Sequence, residues 1–597
     1  MGRVDRRWSD LGSTMAWCIL GAAVLMLSLG VDGAGGGAGG GSYVAAVYEH
    51  RVIRNLQPKV PLSRQEALEH MNKNLDVYEE QAAAAAKQGA HIIVFPEDGI
   101  HSFNFSRESI AGYLETVPDP TTVSWNPCSD PARFPNTEVL HRLSCMAKNN
   151  GLYLVANMPG REDCDAQTPP CPPDGRYQFN TNVVFSANGT LVARYRKRNL
   201  FFEFEFDTPA DPQLITFDTP FAGRFGLFTC FDILFYNPAM ELVEKLGVRQ
   251  LIFPTAWMNT LPLLDSVQFH RSFSYATNTT LLSANLRVDA KAMTGSGIFS
   301  PREALYHHAG AGEPEAGRLL VKTLPVLDSL RPDLRPHSPP LPPPISGDQE
   351  PPCYQQGDGE CQRTVPEGRS RPEEPAAPSS PFKADMMSDN YTMVLIEGAE
   401  GNQSVCDNAL CCHLQFQRRT APQELYALAA FDGLHVVDGT YYLQVCALIR
   451  CSGLTPQTCG AAIDHADTLL DFRLMGNFST PHVFPSVLGS HMQLDRIDHS
   501  GWEGRGFYMS RHGMERGLVT AALYGRAYDR DHTHTSPHPQ LTVTTPTPHC
   551  DRTHNSPRPH PQLTVTTPTP HPDHTHTSPH SESAHEEMSC TSLLLGV

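Results

Sequence analysis

Gly226-Leu227-Phe228-Thr229-Cys230-Phe231-Asp232-Ile233-Leu234-Phe235 is the stretch from which the fold is read. Its apolar run is long enough for one buried strand and ends in a cysteine. Asp232 and Tyr236-Asn237-Pro238 then read as the turn into a helix that runs to Gly247. A thiol therefore stands at a strand-to-helix corner.

Two other stretches take their meaning from that thiol. His91-Ile92-Ile93-Val94-Phe95-Pro96-Glu97-Asp98-Gly99 is a second short apolar strand, stopped by a proline, with a carboxylate at its exit. Leu191-Val192-Ala193-Arg194-Tyr195-Arg196-Lys197-Arg198 is a third strand, ending in a basic cluster. Ligand crevices of open α/β sheets lie at the carboxyl ends of strands, so Glu97, Lys197 and Cys230 are expected to converge there. A thiol is mostly protonated at neutral pH and needs a base to become a nucleophile. Glu97 is the candidate base, Lys197 the candidate oxyanion stabiliser, and no metal or cofactor is required. Taken singly each has a plainer reading: a buried inert cysteine, a turn glutamate, a solvated lysine.

These motifs resemble the Glu, Lys and Cys motifs of the nitrilase superfamily, and more narrowly of its biotinidase and vanin branch. Similarity runs from about residue 43 to 529 and includes Pro254-Thr255-Ala256-Trp257-Met258-Asn259, Phe431-Asp432-Gly433-Leu434-His435, Arg450-Cys451-Ser452-Gly453-Leu454, and Gly517 through Arg526. The spaced pair Cys353 and Cys361 belongs to the same pattern. The resemblance implies an αββα sandwich and amide hydrolysis that releases biotin from biocytin and short biotinyl peptides, with transfer to another amine as a second fate of the acyl-enzyme. It also places Glu203 where related enzymes carry a second glutamate. Trp257 and Met258, just past a strand end, are candidates for the wall of a biotin pocket, or else simply core. The alternatives are pantetheine hydrolysis on the same machinery, and a carrier that binds biotin without cleaving it.

The 597 residues are too many for a single core. With 46 basic and 64 acidic residues, the net charge of −18 argues against nucleic acid or an anionic membrane as partner and suits a small-molecule or peptide substrate. Arg3, Arg6 and Arg7 precede an apolar run over 16–30 that is shorter than a membrane span, so 1–34 reads as a secretory signal, with Met15 an alternative start. The product is then extracellular, or lysosomal.

Secretion gives the 16 cysteines meaning. Setting aside Cys18 in the signal, Cys230, and Cys550 and Cys590 in the tail leaves an even number for disulfides. Cys406, Cys411, Cys412, Cys446, Cys451 and Cys459 crowd one region and are expected to staple it. Their spacing lacks the paired elements of a zinc site. Cys128, Cys145, Cys164 and Cys171 supply two more bridges. Asn104, Asn188, Asn278, Asn390, Asn402 and Asn477 head glycosylation sequons.

The strand, helix and strand pattern over 43–95, with a capping box at Ser63-Arg64-Gln65-Glu66, predicts an α/β catalytic domain over 43–328. A proline-rich linker over 329–389 follows, then a β-rich, disulfide-stabilised domain over 390–529. Residues 530–597 repeat His, Thr and Pro without the means to build a core. Their histidines His532, His534 and His538 lack a scaffold for metal coordination. The last residues form too short a hydrophobic end for a lipid-anchor signal.

Overall fold

Ser63 caps the helix Arg64–Lys87 as its sequence requires: its hydroxyl accepts from the Glu66 N–H while the Glu66 carboxylate accepts from the Ser63 N–H. That helix and Glu138–Asn150, which ends at Gly151 in the left-handed conformation, cover the outer face of one sheet. The computed structural model describes residues 41–167, 170–327, 380–420, 423–437 and 439–531. The expected signal with Met15, most of the proline-rich stretch with Cys353 and Cys361, and the repetitive tail with its histidines lie outside the described residues.

The first sheet runs in the order Arg318–Pro325, Ser42–Glu49, Ile92–Val94, Tyr153–Asp163, Arg176–Phe185, Leu191–Arg196. The second runs Ala304–His307, Ser296–Phe299, Thr280–Ala284, Gln250–Pro254, Gly223–Leu227, Ile215–Thr219. The central strands of each are parallel, and their neighbours are antiparallel. The facing apolar sides, Val47, Ile92 and Val94 against Phe225, Leu227, Leu251 and Phe253, make one core. The helix Ser266–Thr277 covers the far side, which completes the αββα sandwich.

The stretch after Cys230 departs from expectation. In place of one helix to Gly247 there is a single 3-10 turn, Cys230–Leu234, then a broken segment and only the short helix Glu241–Glu244. Asn237 is extended, and Pro238 after it has no N–H to give a helix, so no continuous ladder forms.

The C-terminal domain is a β-sandwich of a seven-stranded and a five-stranded sheet around its own core. Its first strand, Phe382–Met386, pairs antiparallel with Asp389–Ile396, so the expected linker of 329–389 runs too far at its C-terminal end. At the other end the fold passes the expected limit of 529. Asp531 accepts from the Tyr442 N–H and pairs with Arg526. The seven-stranded sheet packs on the helix Ser266–Thr277: Phe273 stacks on Phe484 and Ser272 donates to the Pro485 carbonyl.

Five disulfides close as Cys128–Cys145, Cys164–Cys171, Cys406–Cys411, Cys412–Cys446 and Cys451–Cys459. The crowded six cysteines are thus all used in bridges. Cys412–Cys446 joins the two sheets of the sandwich across its buried core. It closes a separation of 34 residues, so replacing both cysteines by Ala is expected to lower the C-terminal domain's stability by about 4 kcal/mol. Denaturant unfolding checks this, and a loss below about 1 kcal/mol would refute the loop-closure account. No helix among the described residues is long and apolar enough to cross a membrane.

Candidate active site

Glu97, Lys197 and Cys230 each follow directly or within three residues on the carboxyl end of a strand: Ile92–Val94, Leu191–Arg196 and Gly223–Leu227. The sandwich brings those ends to one rim. Lys197 Nζ lies 2.7 Å from Glu97 Oε1, with both side chains almost fully buried. The same ammonium is ion-paired with Glu203. Glu97 Oε2 accepts from the Ala256 N–H at 2.9 Å, and Asn180 Nδ2 bridges Glu97 Oε1 and Glu203 Oε2 at 2.8 Å each. Two carboxylates therefore share one cation and one amide.

Cys230 is the free cysteine among the described residues and is 7% exposed. Its φ of 43° is a left-handed conformation that a side chain adopts at a cost of order 1 kcal/mol, held here by its surroundings. Asp232 supplies much of the holding. Its carboxylate accepts from the Thr229 N–H, the Tyr195 hydroxyl and both the backbone and side-chain N–H of Asn199. Burial raises the Asp232 carboxyl to about 6 despite these donors.

Electrostatics follow from the geometry. Burial and the Glu97 carboxylate push the Cys230 thiol well above its ordinary range, while Lys197, the Thr255 hydroxyl and the Ala256 N–H pull it back. Burial works against the Lys197 charge, yet Glu203 and Glu97 hold its ammonium well above the usual value. Burial lifts Glu203 to about 7 against the pull of Lys197. A thiol, a base and a fixed cation in a water-poor site can carry acyl transfer through a covalent intermediate.

Residues 59–273 match the carbon-nitrogen hydrolase family, and residues 380–531 match the vanin C-terminal domain. Biotinidase of Takifugu rubripes is 53% identical over 495 residues, 82% of this chain and 95% of that one. The Homo sapiens biotinidase is 49% identical over 82% of this chain and 90% of its own. The chain belongs to the biotinidase family. Pantetheinase of Sus scrofa is similar at the lower identity of 42%, over 82% of this chain and 90% of that one. Membership makes the protein a hydrolase of amide C–N bonds.

Around this cluster the structure adds residues that the sequence did not announce. Asn157 Nδ2 donates to Asn180 Oδ1 at 2.6 Å and to Asn182 Oδ1 at 2.9 Å, and its own Oδ1 accepts from the Asp98 N–H. Asn182 Nδ2 in turn reaches the Thr229 hydroxyl at 2.8 Å. This buried amide chain ties the Glu97 loop to the residue before Cys230. Its signal was present as Gln178, Asn180 and Asn182, polar residues two apart on one face of the strand Arg176–Phe185.

Trp257 lies in the core: its indole N–H donates to the Leu264 carbonyl at 2.8 Å and its ring stacks on Phe269. Met258 is 37% exposed. Phe202 and Phe204, which flank Glu203, are 59% and 79% exposed. Phe201 joins them to Phe231, the residue after the thiol, with ring centres 5.1 Å apart. Those aromatics were not anticipated as site residues.

Proposed function

We propose that the enzyme hydrolyses biotinyl amides, biocytin and short biotinyl peptides, through a thioester on Cys230. The observation that carries this is the buried Lys197–Glu97 pair at the same sheet rim as an unbridged cysteine. Glu97 takes the thiol proton as Sγ attacks the amide carbonyl carbon, and Lys197 stabilises the oxygen that becomes negative. Collapse breaks the C–N bond while Glu97 returns the proton to the leaving lysine amine. Water, deprotonated by Glu97, then attacks the thioester, freeing biotin carboxylate and restoring the thiol. Glu203 keeps the Lys197 ammonium charged and in place.

Biotin is preferred to pantetheine as acyl donor because identity to biotinidases, 49–53%, exceeds the 42% to pantetheinases. Met258, Phe202 and Phe204 supply the exposed apolar surface against which the biotin bicycle packs, while Trp257, the residue before Met258, is core. The protein is secreted after removal of its signal. All six sequon asparagines are exposed and carry glycans, although Asn477 must first release the Ala409 carbonyl. The catalytic domain runs over 43–328 and the C-terminal domain over 380–531.

The test is the mass of the Cys230 peptide after brief exposure to a biotinyl ester, together with turnover of biocytin and pantetheine. A biotinyl adduct on that peptide, faster biocytin turnover, and loss of at least about 10⁴-fold in Cys230→Ala are expected. An unmodified peptide, or unchanged hydrolysis in Cys230→Ala, would remove the nucleophile. Faster turnover of pantetheine would remove the substrate.

A further inference from the structure

The turn that carries Cys230 is only five residues long, so whatever fixes its far end also fixes the thiol. Its near end is held by Asp232. The carbonyl oxygen of its last residue, Leu234, accepts from Arg526 Nε at 2.8 Å, in a buried hydrogen bond between residues 292 apart in sequence. Arg526 belongs to the strand Leu518–Arg526 of the C-terminal domain and is fully buried. Its remaining nitrogens are committed as well. One donates to the Tyr442 carbonyl at 2.5 Å and the other pairs with Asp531 at 2.6 Å. The rings of Tyr441 and Tyr528 lie 5.0 and 4.6 Å from the guanidinium carbon.

A second contact comes from the same domain. Tyr441 meets the rings of Phe231 and Phe235. Gly439 approaches Phe231 so closely that a Cβ there would stand 2.8 Å from the ring. The residue after the nucleophile is therefore walled on that side by the C-terminal domain, while the carbonyl end of its turn faces a buried cation, the favourable sign for that end.

We propose that Arg526, braced by Asp531, is a positioning residue for the Cys230 thiol, and that the C-terminal domain thereby completes the active centre. This rests on the reading of Cys230 as the nucleophile. A guanidinium satisfies three acceptors in one plane, and an ammonium cannot reproduce that fork. Arg526→Lys thus keeps the charge and releases the geometry. A displacement of about 1 Å at a reacting atom is worth about 100-fold in rate.

The experiment uses the full chain as secreted, with Arg526→Lys, Asp531→Asn and chains ending at Asp531 or at Asp529. Each is measured per folded molecule for biocytin turnover and for the rate of Cys230 alkylation by iodoacetamide. Arg526→Lys and Asp531→Asn are expected to lose about 10-fold to 100-fold in kcat with KM within about threefold, and to change the alkylation rate. The chain ending at Asp531 should keep full turnover, and the one ending at Asp529, which lacks the brace, should match Asp531→Asn. If Arg526→Lys does not fold, Asp531→Asn decides. Wild-type kcat and wild-type alkylation in the folded variants would overturn the proposal and leave Arg526 a structural tie between domains. Cys230→Ala, run beside them, keeps the two readings apart. Its retained turnover would sink the nucleophile, whereas its inactivity beside normal Arg526 variants would sink only the positioning.

Discussion

Glu97→Gln is expected to lose about 10³-fold in amide turnover while its Cys230 remains open to alkylation at neutral pH, at least as fast as in the wild type. Glutamine keeps the shape and one acceptor oxygen for Lys197 and Asn180, while its amide nitrogen, standing where Glu97 Oε2 was, no longer accepts from the Ala256 N–H, so the rim gives up one hydrogen bond and keeps the rest. What disappears is a negative charge beside the thiol and a group able to carry a proton. The first change favours the thiolate, because Glu97 stands second only to burial among the influences that hold the thiol up, and Lys197 still pulls it down. The second change stops catalysis, since nothing hands a proton to the leaving amine. Iodoacetamide needs only the thiolate, whereas an amide needs both events. Stopped-flow alkylation beside steady-state turnover of biocytin separates them. Turnover within tenfold of wild type would take Glu97 out of proton transfer. Alkylation that fell in step with turnover would refute the charge argument.

That Glu97, Lys197 and Cys230 could be read from the sequence follows from where they stand. Glu97 and Cys230 each follow a short, continuous apolar run of the kind that parallel strands buried on both faces produce, while Lys197 ends an antiparallel edge strand broken by Arg194 and Arg196 and is marked by its basic cluster. Strand ends in α/β sheets share a rim, so three residues scattered over more than a hundred positions could be brought together by a fold-level rule. Glu203, expected from family resemblance alone, is ion-paired with Lys197. The amide chain of Asn157, Asn180 and Asn182 obeys no comparable rule. Alternating polar residues in a strand ordinarily mean a solvated face, and only the second sheet packed over this one turns that face inward.

Arg526 was hidden for a different reason. In Ala521-Ala522-Leu523-Tyr524-Gly525-Arg526 an arginine at the end of a strand reads as surface, and its partner Leu234 offers only a backbone carbonyl, which has no sequence signature. The helix expected after Cys230 failed on local chemistry: Asn237-Pro238 interrupts it, and the turn kept short by that interruption is what gives Arg526 its leverage. The domain limit slipped by eight residues at the start of the β-sandwich and by two at its end, because Phe382–Met386 borders a proline-rich stretch and Asp531 a polar tail. In both places composition changes more gradually than structure.

Lys197→Met carries the largest combined effect on stability and rate. The ammonium is the only cation paired with Glu97 and Glu203 among the described residues, and all three side chains are largely shielded from water. Breaking a buried pair by removing one partner typically costs about 3–5 kcal/mol, since the charge left behind has neither water nor a counterion. Methionine fills the space of the chain and leaves that penalty in full. The pH dependence has a definite sign. Glu203 sits at about 7 in the folded protein, above its ordinary 4.5, so the folded form holds a proton that the unfolded form has released between those values. Stability from this group is present at low pH and is lost as pH rises through that window. Without Lys197, which lowers the Glu203 value, the upper edge moves higher and the loss continues past pH 7. The melting temperature of Lys197→Met should therefore fall further behind the wild type at pH 8 than at pH 5. Turnover should drop by about 10²-fold to 10³-fold at pH 5 as well, where the fold is least damaged, because the oxyanion has lost its donor. A deficit in melting temperature that stayed constant from pH 5 to pH 8 would mean that the two carboxylates do not depend on this ammonium, and a kcat close to wild type would deny Lys197 its part in the transition state.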